Sequence, residues 1–169
     1  IDRFVEEVDA LRMGLNLSRI HLLGQSWGGW LAIEYLMGGP VGLESVTLAS
    51  TSSSIPQAAS ETKRLRDDLP EDVLDVLLHG ESTSDFHSPE YEAAEMEFLK
   101  RHLCRLDTWP DSIMRSMGNM AGNPVPYETI QGPNEFTFNG NLKNWDRTDR
   151  LGEITIPTLI TVGRYDELT

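Results

Sequence analysis

The first fifty residues alternate between two kinds of hydrophobic spacing, and this alternation constrains the fold more than any other feature. Apolar residues recur at helical intervals over 4–15 and again over 27–37, where Gly38-Gly39-Pro40 ends the pattern. Between and after these segments, residues 18–23 and 43–49 are short and apolar, as buried strands are. The order helix, strand, helix, strand favours a parallel sheet covered by helices. The sequence therefore predicts an α/β fold.

The middle of the chain is predicted to be mainly helical. We expect one helix over 69–79 that ends at Gly80, and a second that begins at Ser88-Pro89, because Ser caps a helix and Pro is tolerated in its first turn. A third helix is expected from residue 111 to 117, and residues 118–145, rich in Gly, Asn and Pro, are expected to be irregular. The apolar residues predicted for one side of the second helix are Tyr91, Ala94, Phe98, Leu99, Leu103 and Leu106.

The sheet pattern resumes near the end of the chain, and this determines the predicted domains. A last short helix is expected over 146–151 and a last strand over 156–162. We therefore predict that residues 1–50 are the first part of an α/β core, that residues 51–145 are an inserted helical cap, and that residues 146–169 resume the core.

Acidic residues outnumber basic ones by 27 to 14, and the formal net charge is −13. Phosphate groups are bound by clustered Lys and Arg, so this balance argues against nucleic-acid and membrane-surface partners. No apolar run approaches the roughly 18–20 residues needed to span a bilayer. The single cysteine, Cys104, can form neither an internal disulfide nor a two-cysteine metal motif. We expect a cytoplasmic protein from this cysteine usage and from the lack of a signal-peptide pattern after Ile1.

A serine with glycines on both sides lies between the first predicted strand and the second predicted helix. The run is Gly24-Gln25-Ser26-Trp27-Gly28. A nucleophile elbow needs this context, because a sharp turn lifts the serine hydroxyl above the sheet and glycines relieve crowding. The backbone N–H of Trp27 would then be one oxyanion-hole donor, helped by the positive end of the helix. The alternative is an ordinary tight turn with an incidental serine, and the flanking strand, the helix and Gly29 favour the elbow.

Asp166 follows the last predicted strand and is the candidate acid of a catalytic triad. The order serine then acid is that of an α/β-hydrolase, in which the histidine comes last. The alternative is a solvated loop acid. All four histidines precede Asp166, at His21, His79, His87 and His102, so none is assigned as the base. We expect His21 to be packed in its strand and the other three to lie at the surface or at helix ends.

Beyond the elbow, several later segments carry a family resemblance. They are Gly132-Pro133-Asn134-Glu135-Phe136, Trp145-Asp146, Ile156-Pro157-Thr158-Leu159 and Gly163-Arg164-Tyr165-Asp166-Glu167. Together with the elbow, they resemble the proline iminopeptidases, which are cap-bearing α/β-hydrolase serine peptidases that remove an N-terminal residue, preferentially proline. The resemblance covers essentially the whole chain. It implies an α/β-hydrolase fold with a helical cap, short peptides with a free N-terminus as substrates, and no metal or organic cofactor.

The resemblance also implies roles for residues outside the triad. Glu135 and Glu167 would bind the free α-amino group of the substrate, and an ammonium leaving water needs more than one charged acceptor. Holding that group at a set distance from Ser26 would restrict cleavage to the first peptide bond. Tyr127 is a weaker candidate for lining the site. On the residues alone, both glutamates are better explained as solvated surface acids, and only the resemblance favours the binding role. A packed tyrosine explains Tyr127 equally well.

Two features of that family are not in the sequence: a His-Gly-Gly-Pro-Gly oxyanion run and a C-terminal histidine. We therefore expect a piece of a longer protein, without its early strands and its C-terminal histidine segment, and essentially inert by itself. Two alternatives stay open. One is an amidase or esterase on small amino-acid derivatives, which uses the same acyl transfer. The other is a shortened α/β-hydrolase that acts as a binding module, with the region of Ile20 and Val46 partly uncovered.

Overall fold

The structure is a computed structural model of the chain and describes residues 1–168. These residues form two compact units. The first unit consists of Ile1–Ser54, Trp145–Arg164 and Leu168, and the second unit consists of Ile55–Asn144 and Tyr165–Glu167.

The first unit contains a parallel three-stranded sheet with flanking helices. In chain order its elements are α1 (Asp2–Gly14), β1 (Ile20–Gln25), α2 (Trp27–Met37), β2 (Leu43–Ala49), a short 3-10 helix (Thr148–Glu153) and β3 (Thr158–Thr161). The strand order is β1-β2-β3, and both pairs are parallel. The predicted order of helix, strand, helix and strand is confirmed, and α2 and β2 have the predicted bounds.

The core of the first unit forms where α2 covers the sheet. Trp30, Ile33 and Tyr35 of α2 are buried, as are Val46 and Leu48 of β2. Val46 and Leu48 are two positions apart, so they lie on the same face of the strand, as the alternation in the sequence predicts. Only one residue separates β1 from α2, so the helix begins directly at the end of the strand.

The apolar residues that stay exposed in this sheet are not the ones that the sequence indicated. Val46 is only 1% exposed and Ile20 is half-buried. Leu23 of β1 and Leu159 and Ile160 of β3 are exposed instead, Leu23 at 67% and Ile160 at 70%. The prediction named Ile20 of β1 and Val46 of the central strand β2, whereas Val46 is covered and the exposed apolar side chains lie on the outer strands β1 and β3.

The chain re-enters the first unit at Trp145, which is tied to α2. The Trp145 indole N–H donates to Glu34 Oε1 at 2.6 Å, and its ring lies 6.2 Å from that of Trp30. The hydroxyl of Ser54, the last residue of the first segment, donates to Asp146 Oδ2 at 2.8 Å. The Trp145-Asp146 segment therefore closes the first unit where the chain leaves and returns. The predicted helix over 146–151 is displaced to the 3-10 helix that begins at Thr148.

The second unit is helical. Its helices are α3 (Ile55–Asp67), α4 (Glu71–Thr83), α5 (Pro89–His102), α6 (Asp111–Gly122) and α7 (Val125–Ile130). Ser88 caps α5, and its hydroxyl accepts a hydrogen bond from the Tyr91 N–H, as predicted. Within residues 1–168, no helix is both long enough and apolar enough to cross a membrane.

Helices α4 and α6 are longer than predicted. Gly80 does not end α4, which continues to Thr83. A side chain at Gly80 would collide with the Tyr91 ring and lie 2.8 Å from the Asp85 carbonyl oxygen, so this glycine permits close helix packing. Helix α6 continues to Gly122, and α7 forms inside the segment that was predicted to be irregular.

The buried side of α5 ends one turn earlier than predicted. Tyr91, Ala94, Phe98 and Leu99 are buried, and they pack with Leu69, Leu77 and Phe136. Leu103 and Leu106 are exposed, because α5 ends at His102 and the chain then leaves the helical path.

Leu77 and Leu78 provide a matched test of this core. Leu77 is fully buried in the second unit and its neighbour Leu78 is 42% exposed. We expect Leu77→Ala to lower the free energy of unfolding by about 2–5 kcal/mol, because it leaves a cavity. Leu78→Ala should change it by less than about 1 kcal/mol. Urea unfolding followed by circular dichroism measures both, and equal losses would contradict the assigned helix orientation.

Candidate active site

Ser26 is the single residue between β1 and α2, and its backbone is strained. Its φ is 51° and its ψ is −123°. A positive φ is uncommon for a residue with a Cβ, and such conformations cost on the order of 1–3 kcal/mol. They persist only where the surroundings enforce them. This is the backbone geometry that the predicted elbow requires at Ser26.

The end of β2 holds Ser26 in this conformation. The Ser26 N–H donates to the carbonyl oxygens of Ala49 at 3.0 Å and of Ser50 at 3.1 Å. The Thr51 hydroxyl donates to the Ser26 carbonyl oxygen at 2.9 Å, and this oxygen also accepts from the Gly29 N–H at 2.8 Å. Both backbone polar groups of Ser26 are therefore engaged, and the turn is anchored to the neighbouring strand.

The glycines around Ser26 have different roles. A Cβ on Gly24 would collide with the Gly28 carbonyl and lie 2.8 Å from the Gly29 nitrogen, and a Cβ on Gly29 would collide with Thr51. A Cβ on Gly28 would meet no described atom within 4 Å. The tight crossing of β1 and α2 therefore depends on Gly24 and Gly29, while Gly28 is not required by space.

The Ser26 hydroxyl does not cap α2 within the described chain, and the Ser26 side chain is partly exposed. Trp27 is the first residue of α2, so its backbone N–H has no acceptor inside the helix. The Trp27 ring packs edge to face on Phe4, with the ring centroids 4.9 Å apart. The positive end of the helix therefore begins directly beside the serine.

In the second unit, Glu135 is held by two neighbouring side chains. The Gln131 side-chain N–H group donates to Glu135 Oε2 at 2.9 Å and to the Tyr127 hydroxyl at 3.1 Å. Tyr127 also hydrogen-bonds Glu135. Sequence reasoning missed Gln131, although it directly precedes the Gly132 segment. The Tyr127 hydroxyl is thus an anchor for the carboxylate.

Glu167 lies beside Glu135 and is almost completely buried, with 6% of its surface exposed. Its Oε2 is buried and has no hydrogen-bond partner among residues 1–168. A buried carboxylate oxygen without a donor is costly. The arrangement therefore leaves an acceptor for a group that is not part of the described chain.

The loop that carries Glu135 is fixed on α5. The Asn134 side-chain amide donates to the Tyr91 hydroxyl at 2.7 Å and accepts from the Phe136 N–H at 3.1 Å. The Phe136 ring packs edge to face on Phe98, with centroids 5.0 Å apart. Asn134 and Phe136 are both buried, so Glu135 is held from both sides of its own backbone.

The segment that carries Asp166 and Glu167 is also fixed on the end of α5. The His102 ring nitrogen Nδ1 hydrogen-bonds the Tyr165 carbonyl oxygen at 3.0 Å. The Arg105 guanidinium lies over the Tyr165 ring, 3.8 Å from its centroid. His102 therefore has a structural contact at a helix end, as the sequence predicted.

Glu135 and Glu167 both have raised pKa values. Burial raises the pKa of Glu167 well above its usual value, and the neighbouring charges of Glu135 and Asp166 raise it further. Burial also raises the pKa of Glu135, although the hydrogen bonds from Gln131 and Tyr127 oppose this. The cluster therefore tends to keep protons until a cation is present.

Glu95 is a further acid of this cluster that sequence reasoning missed. Burial raises its pKa to about 7, with smaller contributions from the charges of Glu135 and Glu92. A signal was present in the sequence. Glu95 is four residues after Tyr91 and three before Phe98, so it is a charged residue on the apolar side of α5.

The two members of the predicted triad lie in different units, Ser26 in the first and Asp166 in the second, and their pairing stays a prediction.

The prediction that His21 is packed is wrong. It is exposed, and its Nδ1 hydrogen-bonds the Ser45 hydroxyl at 2.8 Å. His79 and His87 are exposed, as expected. No group of three or more His, Cys, Asp or Glu residues suited to a metal ion occurs in the part of the chain that the structure describes.

Comparison with known proteins gives consistent matches along the whole chain. Proline iminopeptidases from Thermoplasma volcanium and Lactobacillus crispatus are 37% and 43% identical to it, over 100% and 99% of its length. One from Saccharolobus solfataricus is 41% identical over 100%. The chain spans little more than half of these relatives, 57%, 57% and 54% of their lengths. No protein-family model matches the chain.

Solved structures give the same result. The crystal structure of VinJ matches with a TM-score of 0.95, and that of a proline iminopeptidase from Mycobacterium smegmatis with 0.87. Both are 36% identical, and each match covers 98% of this chain and 56% of the other. MenH from S. aureus, at 23% identity and a TM-score of 0.54, bears on the fold alone.

These matches and the parallel sheet with its flanking helices show that the chain has the α/β-hydrolase fold. Within that class, the resemblance to the proline iminopeptidases that the sequence predicts is confirmed over the whole chain.

The two glycines that flank Ser26 should respond differently to substitution. Gly24→Ala forces a Cβ into the backbone of α2, so we expect a loss of about 1–3 kcal/mol in the free energy of unfolding. Gly28→Ala has open space and adds helix propensity, so it should leave stability unchanged or raise it by up to about 1 kcal/mol. Chemical denaturation of both variants measures this. A harmless Gly24→Ala would contradict the close crossing of β1 and α2.

The raised pKa of Glu167 predicts how stability depends on pH. The folded chain holds this proton more tightly than the unfolded chain, so Glu167 lowers the free energy of unfolding as the pH rises above about 4.5. We expect Glu167→Gln to be more stable than the wild type at pH 8 by more than about 1 kcal/mol, and equally stable at pH 4. Exposed Glu92→Gln is the control. Equal stabilities of the Glu167 variant and the wild type at pH 8 would contradict the burial of this carboxylate.

Proposed function

We propose that this chain is the nucleophile and substrate-binding part of a serine aminopeptidase that releases an N-terminal residue, preferentially proline, from short peptides. The observation that carries the proposal is the strained backbone of Ser26, held by β2 between a strand and a helix. The names of the relatives, and the acidic cluster around Glu135 and Glu167, support the choice of substrate.

In the proposed reaction Ser26 is the nucleophile. A histidine from outside these 169 residues takes the Ser26 proton, and Asp166 orients that histidine. Ser26 attacks the carbonyl of the N-terminal residue, and the backbone N–H of Trp27 stabilises the oxyanion. The proton passes to the departing amine, and water then hydrolyses the acyl-enzyme and restores the serine. Each step uses side chains, backbone N–H groups and water, with no metal or organic cofactor.

The specificity for a free N-terminus comes from the second unit in this proposal. The α-ammonium group would supply the cation that the buried oxygen of Glu167 lacks, and Glu135 would be its second acceptor. A substrate without a charged amino group would leave both carboxylates without a cation, and Glu167 Oε2 buried without any partner, which is costly. This penalty would exclude internal peptide bonds and N-acylated peptides. Tyr127, hydrogen-bonded to Glu135, would position that carboxylate.

Two other readings fit the same elbow less well. An amidase or esterase on small amino-acid derivatives would use the same acyl transfer. If its substrate carried no charged amine, the unpartnered Glu167 oxygen would have no role in binding. A binding module would have to tolerate the exposed apolar side chains of Leu23, Leu159 and Ile160, which favour association.

A chimera tests the proposed function. Residues 1–169 would replace the matching segment of the Lactobacillus crispatus proline iminopeptidase, which aligns over 170 residues. We expect the chimera to hydrolyse proline p-nitroanilide. Ser26→Ala should lower kcat by about a million-fold, since the nucleophile is lost.

The controls separate the readings. N-acetyl-proline p-nitroanilide should not be hydrolysed by the chimera, because acetylation removes the ammonium. Equal turnover of both compounds would favour the amidase or esterase. A correctly folded chimera without any turnover, beside an active parent enzyme, would leave binding as the function.

A further inference from the structure

A third carboxyl group, that of Glu95 on α5, belongs to the region around Glu135 and Glu167. Its position follows from two contacts that hold the neighbouring loop. Tyr91 accepts a hydrogen bond from Asn134 at 2.7 Å, and Phe98 packs on Phe136 at 5.0 Å. Glu95 is one helical turn from each of these two α5 residues, so it lies between the two contacts on the same face of the helix.

Glu135 occupies the corresponding place in the loop, between Asn134 and Phe136. The two carboxyl groups interact, because the charge of Glu135 raises the pKa of Glu95 beyond the effect of burial. Both Glu95 and Glu167 also act on Tyr127. Three carboxyl groups from three separate segments therefore converge on one region of the second unit.

A cluster of acidic residues is not by itself a binding site, but the burial of Glu167 is an independent observation that points to a ligand. This side chain is more than nine-tenths buried, and its Oε2 has no hydrogen-bond partner in the described chain. The charges that act on Glu167 are those of Glu135 and Asp166, both negative. A cation is the ligand chemistry that would satisfy an unpaired carboxylate oxygen among like charges.

We propose that Glu95 is a third carboxylate of the amino-group site, alongside Glu135 and Glu167, and that it determines how strongly the site binds an ammonium group above neutral pH. This inference rests on the proposed function, because it takes the ligand to be a free amine. Beyond the proposed function, it makes the affinity for an ammonium group depend on the protonation of Glu95.

The titratable groups that interact with Glu95 come from α5, from α7 and from the loop that carries Glu135. On α5 itself these are Glu92 and Tyr91, on the adjacent loop it is Glu135, and on α7 it is Tyr127. Beyond Tyr91, the side chains of Arg66 and Glu81 from α3 and α4 pair with each other at 2.5 Å. The Arg66 charge is therefore neutralised by that partner, and the charges that act on Glu95 within the described chain are those of Glu135 and Glu92.

The sign of the pH dependence follows from linkage. Glu95 has a raised pKa of about 7 in the free chain. A bound ammonium favours the ionised form and lowers this pKa, so binding releases the proton. Affinity is therefore higher above pH 7 and is lost as the pH falls through 7. A decrease of about one pKa unit on binding corresponds to about tenfold in Kd.

The test measures Kd for L-prolinamide by isothermal titration calorimetry on the 169-residue chain at pH 5.5 and pH 8. We expect Glu95→Gln to weaken binding about tenfold at pH 8 and to have almost no effect at pH 5.5, where wild-type Glu95 is protonated. Glu90→Gln removes an exposed acid of the same helix that is not among the charges acting on Glu95, and it should behave as the wild type at both pH values. N-acetyl-L-prolinamide is the neutral control ligand.

The outcomes distinguish this inference from the function on which it rests. If prolinamide binds better than its acetylated form while Glu95→Gln matches the wild type at both pH values, Glu95 is not part of the site and the proposed function stands. If the folded wild type binds neither compound, the amino-group site itself is wrong, and Glu95 is wrong with it.

A second measurement needs no variant and does not depend on binding. Carbon-13 NMR of the carboxyl groups gives the titration of Glu95 directly, and we expect it near pH 7 in the free chain. Added prolinamide should move the titration to lower pH. A Glu95 titration at the ordinary value of about 4.5 would overturn the inference whatever the calorimetry gives.

Discussion

Burial of carboxyl groups beside one another is the constraint on which the second unit depends. Glu135 and Glu167 are near each other, and burial and like charge together raise the pKa of Glu167. A carboxylate out of water needs a cation, a set of donors or a proton. Gln131 and Tyr127 supply donors to Glu135, whereas one oxygen of Glu167 is left without any in the described residues. The cation binding proposed for this unit follows from this difference in hydrogen bonding between the two carboxylates.

Helix α5 organises this arrangement, because both acidic segments are fixed on it. The loop before Glu135 is held through Tyr91, and the segment before Glu167 through His102. Carboxylates repel one another, so they stay close only where the backbone that carries them is fixed by other contacts. The packing of α5 on α4, with Gly80 beneath Tyr91, therefore supports the positions of the acids as well as the core. In the first unit, the hydrogen bonds from the end of β2 to Ser26 have the comparable role of holding a strained residue in place.

Much of the first unit could be predicted, because its signals are local. The strands and α2 have short, strongly periodic patterns, and glycines mark the turns around Ser26. The helices of the second unit were harder to predict, because tertiary contacts and short length obscure their local signals. Gly80 resembles a helix end, but it lies inside α4, where Tyr91 leaves no room for a side chain. Helix α7 has only six residues within a Pro- and Asn-rich segment, which masks its periodicity.

The sequence by itself determined the α/β class, the serine turn and the resemblance to proline iminopeptidases, because each is encoded in residues that are close together along the chain. It could name Glu135 and Glu167 only through that resemblance. Tertiary structure decided that these two acids are buried together, that Gln131 and Tyr127 hold one of them, and that Glu95 joins them from α5. The energy of a carboxyl group depends on burial and on neighbouring charges, and these neighbours come from segments far apart in sequence.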